Sequence, residues 1–269
     1  MPELPEVETV RRQLINLIRD ETIARVEAPF PPIITHDLHW FQDTIKDQVI
    51  RDLDRKGKFL IFMLDRHAMI IHLRMEGRFH IKKDEPVLKH EHAIFHFASG
   101  RNLRYHDVRK FGRITLVEKD RVMHHPGIAA LAPEPKHLDV NHFYRRLKHK
   151  RVAVKTALLD QRLVAGLGNI YVDETLFHAG IHPKRLTSSL TKKQVVRMVE
   201  HATHVLARAV ELGGATIRSY QAITGVHGRF QNELAVHTKK DEPCPICQTP
   251  IIKIKVGGRG TYVCPKCQQ

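Results

Sequence analysis

Four cysteines constrain this chain more than any other feature. All of them fall in the last 26 of 269 residues, as Cys244-x2-Cys247, a gap of sixteen residues, and Cys264-x2-Cys267. Each CxxC pair can set two thiolates on one edge of a tetrahedron. Two such pairs close a site with no open position, which is the arrangement of one structural Zn2+. The N-terminus, MPELPEVETV, is acidic and has neither the basic nor the apolar region of a signal peptide. No apolar run approaches the roughly twenty residues of a membrane span. The chain therefore reads as cytoplasmic, where paired cysteines point to metal rather than to disulfides. A redox dithiol needs one CxxC in a βαβ setting, and that setting is absent.

Upstream of the cysteines the pattern changes twice. Pro5 suits the first turn of a helix, and Glu3, Glu6 and Glu8 suit its positive end. Val7, Val10, Leu14, Leu17 and Ile18 then recur at helical spacing, which predicts a helix ending near Asp20. From Thr22 to Leu116 short β-rich runs follow, such as Phe59–Leu64, Met69–Leu73 and Ala93–Phe97, separated by turn signals at Arg55–Gly57 and Ala98–Asn102. Closely spaced strands favour an antiparallel sandwich or barrel. Pro126, Gly127, Pro133 and Pro135 mark a linker. Helical patterns follow at Phe143–Leu147, Val152–Leu163, Ile170–Ala179 and Lys192–Leu212, then a Gly-rich stretch at Gly213–Gly214 and a polar one from Ile217 to Arg229. The expected fold is α+β and multidomain: an antiparallel β-sandwich or barrel with flanking helices (1–123), a linker (124–135), a helical domain (136–235) and a zinc finger (236–269).

Composition bears on the partner. Lys and Arg number 44 against 29 Asp and Glu, a formal net charge of +15. Such an excess favours a polyanion, because each cation placed near a phosphate releases condensed counterions. Three stretches could use that charge. In Gln161–Ile170 two helices meet at a glycine turn, and Asn169 could cap the second helix or reach a phosphate. Arg55-Lys56-Gly57-Lys58 could track a nucleic-acid backbone or be a solvated turn. Tyr105–Gly112 alternates cations with an aromatic, and Phe111 could wedge between bases or enter the core. His90-Glu91-His92 is not HExxH, and no third metal ligand is specified.

Together these stretches resemble the formamidopyrimidine-DNA glycosylase family. The matching pieces are Met1–Glu8, Arg55–Leu60, His72–Arg78, Tyr105–Gly112, Leu158–Glu174 and Val256–Gln268, in the family's order. Leu4 and the Arg109-Lys110-Phe111-Gly112 run set the chain apart from endonuclease VIII relatives, which usually carry Gly in place of Leu4. The resemblance implies a two-sheet β-sandwich, a helix–two-turn–helix domain and a zinc finger. It implies a monomeric enzyme acting on damaged double-stranded DNA, excising 8-oxoguanine and formamidopyrimidines and then cutting the strand.

The same resemblance implies roles. Removal of Met1 leaves Pro2 with a secondary amine as nucleophile. Glu3 moves protons, and Glu6 and Glu76 support the lesion site. Lys58, Arg259 and Asn169 hold phosphates, the first two as part of the catalytic set. His72, Met75, His92, Arg109 and Phe111 contact DNA, with Met75, Arg109 and Phe111 filling the gap left by a flipped lesion. One departure stands out: Val236-His237-Thr238-Lys239 occupies the place where the family usually has Val-Tyr-Gly-Arg or Val-Tyr-Gly-Lys. Two rivals follow, an endonuclease VIII-like enzyme for oxidised pyrimidines and a non-catalytic DNA-binding zinc protein. Leu4 with Arg109–Phe111 argues against the first, and intact Pro2, Glu3 and Lys58 against the second.

Overall fold

The computed structural model describes residues 2–215 and 228–269, and the polar stretch expected from Ile217 lies largely outside them. The chain forms two compact units. One is built on the residues up to Ala129, the other on Ala130–Ala215 with Arg229–Gln269.

The first unit opens with helix α1 (Leu4–Ile18), which ends at the C-cap Arg19, one residue before Asp20 turns into the left-handed region (φ 63°). Eight strands follow: β1 (Ile23–Glu27), β2 (Asp52–Lys56), β3 (Phe59–Met63), β4 (His67–His72), β5 (Arg78–Lys82), β6 (Glu91–Phe97), β7 (Asn102–His106) and β8 (Arg113–Glu118). They pair as two antiparallel four-stranded sheets, ordered β2-β3-β4-β8 and β1-β6-β7-β5. Leu60, Phe62, Met69 and Ile71 of one sheet and Phe79, Phe95, Leu103 and Tyr105 of the other share one buried core with Val7, Val10, Leu14 and Ile18 of α1. Each such side chain contributes roughly 1.5–3 kcal/mol of burial.

The apolar runs at β3 and β4 are continuous rather than alternating for a physical reason. Ile61, Ala68 and Ile70 face the other way, into a second cluster with Val122 and Ile128. Both faces of these strands are covered, so both must be apolar. Ile128 belongs to the short helix α3 (Pro126–Ala129), inside the stretch expected to be linker. A helix not expected from the sequence, α2 (Leu38–Ile45), lies between β1 and β2, where Asp37 caps it by accepting the Trp40 N–H at 2.9 Å.

The second unit holds α4 (Val140–Lys148), α5 (Val154–Leu159), α6 (Asn169–His178) and α7 (Lys192–Glu211), then the hairpin of β9 (Ile252–Val256) and β10 (Arg259–Val263). Helix α6 is the centre of this unit, with every residue from Ile170 to Phe177 buried. Its hydrophobic faces pack all round, and its two acids, Asp173 and Glu174, are each fully bonded, as burial requires. Helix α7 starts in a capping box between Thr191 and Gln194.

Candidate functional site

In the first unit the candidate residues gather around three local devices. The first is the start of α1. Pro2, Glu3 and Glu6 are all buried, and the Glu6 carboxylate accepts the Glu3 backbone N–H at 2.8 Å. Two carboxylates thus sit within one turn of the Pro2 nitrogen, at the positive end of the helix dipole.

The second device is the β2–β3 turn. Lys56 pairs with Phe59, so Gly57 and Lys58 form a two-residue loop. Gly57 takes φ 56°, a left-handed first position that suits a residue without Cβ. Lys58 is only 6% exposed although it sits at the tip. The turn is tied back to α1: Glu8 accepts from Arg55 Nε at 3.1 Å, and Arg55 Nη1 donates to the Gly57 carbonyl at 2.8 Å. Burial pushes the Glu8 carboxyl up, but its bonds from Arg11, Arg12 and Arg55 outweigh that and bring it down to about 2.

The third device is the Asp107 loop. Asp107 is fully buried. Its carboxylate accepts the backbone N–H of Arg109 (3.0 Å), Phe111 (2.9 Å) and Gly112 (2.8 Å). Asp107 was not singled out from sequence. The signal available was an Asp two residues before the run it organises, the spacing at which an Asx side chain bonds onward backbone. On this frame the Arg109 guanidinium lies 4.8 Å from the Phe111 ring centroid, and Phe111 is 48% exposed. Phe111 is therefore a surface residue, and the core alternative is excluded. Beneath it the Tyr105 hydroxyl lies so close to Gly77 and Gly112 that a Cβ at either would collide with it. Gly77 closes the turn that carries Met75 and Glu76, both half-buried.

The histidines take supporting positions. His92 is 6% exposed, and its Nε2 is 2.9 Å from the Asp107 carbonyl, so it braces the loop from behind. Its neighbour Glu91 is bound by Arg104 at 2.8 Å and Lys82 at 2.9 Å. His72 packs edge-on to Phe59 with centroids 4.6 Å apart, and its Nδ1 accepts the Arg74 N–H at 3.0 Å. Burial, with help from the charges of Arg74 and Lys58, holds its pKa down to about 3, so the ring is neutral.

In the second unit Asn169 does not cap α6. Gly168 is the N-cap, and Asn169 is the first helical residue. Its Nδ2 donates to the Gly260 carbonyl at 3.1 Å, one residue from the exposed Arg259. Lys155 Nζ reaches the same carbonyl at 3.2 Å and Asp173 Oδ1 at 2.7 Å, in a fully buried ion pair. Asp173 Oδ2 accepts from His237 Nδ1 at 2.8 Å and from the Tyr262 N–H at 3.2 Å. Asn169 and Arg259 are thus brought together by a buried network that short-range patterns do not reveal. The unusual His237 is part of it. Its neighbour Thr238 takes φ 70°, the left-handed region where the family's glycine is at ease and a β-branched residue is strained.

The four cysteine sulfurs all lie within 4.8 Å of one another, and among the described residues this is the one such ligand cluster. Cys244 and Cys267 are 3.8 Å apart, Cys247 and Cys264 3.5 Å. Tetrahedral zinc with Zn–S bonds of about 2.3 Å needs sulfurs about 3.8 Å apart, so the donor set fits. The thiols are free rather than paired as disulfides.

Three family models match. Residues 1–114 match the formamidopyrimidine-DNA glycosylase N-terminal domain, 130–221 the H2TH domain of the same glycosylase, and 241–269 a zinc finger found in FPG and IleRS. A formamidopyrimidine-DNA glycosylase of Bacillus licheniformis is 48% identical over 274 residues, covering all of both chains. One from Oceanobacillus iheyensis is 45% identical, covering all of this chain and 98% of that protein. Among solved structures, Lactococcus lactis FPG complexes with Fapy-dG-containing DNA and with abasic-site DNA each align over the whole of both chains, at 41% identity and a TM-score of 0.95. The cysteine cluster and the matched finger together assign one structural zinc.

Proposed function

Since this chain belongs to the formamidopyrimidine-DNA glycosylase family, we propose that it excises oxidised purines from duplex DNA and then cuts the strand, with the Pro2 amine as nucleophile. The observation that carries this reading is the head of α1, where Pro2 is buried beside the Glu3 and Glu6 carboxylates. An α-amino group has a pKa near 8, so part of it is unprotonated at neutral pH. Once Met1 is removed, that fraction of Pro2 is a neutral secondary amine able to attack.

The amine attacks C1′ of the damaged nucleotide, and the C1′–base bond breaks with its electron pair leaving on the base nitrogen, which takes a proton from water. The Glu3 carboxylate takes the proton from the attacking amine and passes it to the sugar-ring oxygen as the ring opens, so that the nitrogen lone pair forms the iminium. The resulting iminium is cationic without further protonation. It acidifies the C2′ hydrogen, and loss of that proton expels the 3′ phosphate. A second elimination expels the 5′ phosphate. One difficult displacement is thereby split into easier covalent steps. Glu6 keeps Glu3 in place through its bond to the Glu3 backbone, and Glu76 supports the lesion from the Gly77 turn. Lys58, Asn169 and Arg259 hold phosphates. Arg109, Phe111 and Met75 occupy the space vacated by the flipped nucleotide, and the neutral His72, whose Nδ1 accepts the Arg74 N–H, offers DNA a donor through Nε2. The buried His92 serves DNA indirectly, through the Asp107 loop.

Zinc supplies no chemistry to these steps. Cys244, Cys247, Cys264 and Cys267 hold it, and it fixes the hairpin that presents Arg259.

The test is a panel of duplexes carrying single lesions. Excision of 8-oxoguanine and formamidopyrimidine well above that of oxidised pyrimidines is expected. A preference for pyrimidines would instead make the chain an endonuclease VIII-like enzyme. In the same panel Glu3→Gln should cut excision far more than DNA binding.

A further inference from the structure

Charge is not spread evenly over this molecule. The twenty residues 140–159 hold six Lys and Arg and no acid. One of the six, Lys155, is buried against Asp173, and Lys148 donates to the Ser188 carbonyl at 2.6 Å. The other four, Arg145, Arg146, Lys150 and Arg151, lie on the outer side of α4 and in the turn that follows it. Arg145 and Arg151 are exposed, and Arg146 and Lys150 are half-exposed. The inner side of α4 is taken up by Phe143 and Leu147, both buried.

A second segment extends this surface. Ala153 bridges to Leu186, with Val154 N–H on the Arg185 carbonyl at 2.8 Å and Thr187 N–H on the Val152 carbonyl at 2.9 Å. That bridge lays the stretch bearing the exposed Lys184 alongside residues 152–154. The result is a five-cation ridge on the second unit.

The two carboxylates that flank this stretch in sequence have partners of their own, and each also feels one ridge cation, Asp139 that of Arg145 and Asp160 that of Lys150. Asp139 caps α4 by accepting the N–H groups of Asn141 and His142, and Asp160 pairs with Arg162 at 2.9 Å. Among the described residues none of the five cations sits in an ion pair. The first unit handles clustered arginines differently: there Arg11, Arg12 and Arg55 all pair with Glu8. The macrodipole of α4 rewards cations in its last turn, which accounts for Arg145 and Arg146. It does not account for Lys150, Arg151 and Lys184, which lie off the helix. Like charges held in no close ion pair repel, and a polyanion relieves that repulsion while releasing its own counterions.

We propose that the ridge of Arg145, Arg146, Lys150, Arg151 and Lys184 is a second contact for the duplex DNA backbone, outside the lesion site and indifferent to sequence or damage. The inference rests on the DNA repair reading above and extends it. The ridge would hold the enzyme on undamaged DNA between lesions, whereas the residues around Pro2 act only at the damaged nucleotide.

The test uses the full zinc-loaded chain with Arg145→Gln, Arg146→Gln, Lys150→Gln and Arg151→Gln combined. A second variant carries Arg145→Lys, Arg146→Lys and Arg151→Lys, which keep the charge. Binding to an undamaged duplex of about 30 base pairs is followed across a salt series, where each phosphate contact contributes about −0.9 to the slope of log K against log salt. The glutamine variant should lose about two to four units of slope and bind at least about tenfold more weakly at moderate salt. Its single-turnover excision at saturating enzyme should stay within about twofold of the parent. The lysine variant should keep the parental slope. An unchanged slope in the glutamine variant overturns the proposal. So does an equal loss in both variants, which would indicate shape rather than charge. Loss of single-turnover excision would place these residues in the lesion site instead. Failure of the parent to excise any lesion would refute the repair reading itself, and that result is distinguishable from all of these.

Discussion

The loop that carries Arg109 and Phe111 and the hairpin that carries Arg259 solve the same problem by different means. Each must present exposed groups on a rigid base. The first is fastened by one buried carboxylate, Asp107, which gathers three backbone N–H groups. The second is fastened by a four-thiolate metal site on one side and by the Lys155–Asp173 pair with Asn169 on the other. The difference reflects available core. The loop stands on a sandwich with a large apolar interior. The cysteine module has only a small cluster of its own, Val236, Ile251 and the buried cysteines packed on Phe177. A short segment with so little to bury needs a cross-link, and metal provides it.

The largest effect should come from removing that cross-link. Chelation of zinc, or Cys244→Ser, should cost the finger on the order of 10 kcal/mol, while the sandwich unit keeps its own melting transition. Calorimetry with zinc titration checks this. A single shared transition that vanishes with zinc would break the comparison.

A smaller effect concerns acid. The folded-state pKa of His72, about 3, lies below the ordinary 6.5. The unfolded chain therefore takes up the proton first, and stability falls as pH drops from 6.5 towards 3. By pH 4 this contributes about 3 kcal/mol of loss, all in the sandwich unit. His72→Gln should flatten that part of the stability profile, measured by denaturant titration at successive pH values. An unaltered profile would mean that the ring is more solvated than its packing on Phe59 indicates.

Asp107→Asn should cost about 2 kcal/mol, because an amide satisfies the three N–H groups less well than a carboxylate. Amide exchange at Arg109, Phe111 and Gly112 should quicken, with zinc content unchanged. Unaltered exchange would show that the loop is held by something other than this carboxylate.

The smallest effect has the opposite sign. Thr238→Gly should stabilise the second unit by about 1 kcal/mol, by relieving the left-handed backbone at φ 70°. Destabilisation would mean that the Thr238 hydroxyl bond to the His237 carbonyl outweighs the strain.

What could be seen in the sequence was whatever is local. The cysteine spacing, the acidic start of α1 and the turn before β3 are each encoded within a few residues. Helix α2 lay among strand signals, and its one local mark, Asp37, is easily taken for a loop residue. Asn169 looked like a cap because Asn favours that position, yet Gly168 takes it and frees the Asn169 side chain for the hairpin. The Lys155–Asp173–His237 network joins residues 18 and 64 positions apart, and no periodicity marks such partners. Asp107 is an intermediate case, since its spacing is local but its three-fold role depends on burial.

The account stands or falls on the atom that attacks DNA. Borohydride added to the enzyme on an 8-oxoguanine duplex should trap an irreversible adduct that maps to the N-terminal peptide at Pro2. A chain that retains Met1 should form none while keeping its zinc. An adduct on Lys58 or Lys155, or normal strand cleavage by the Met1-blocked chain, would contradict the mechanism.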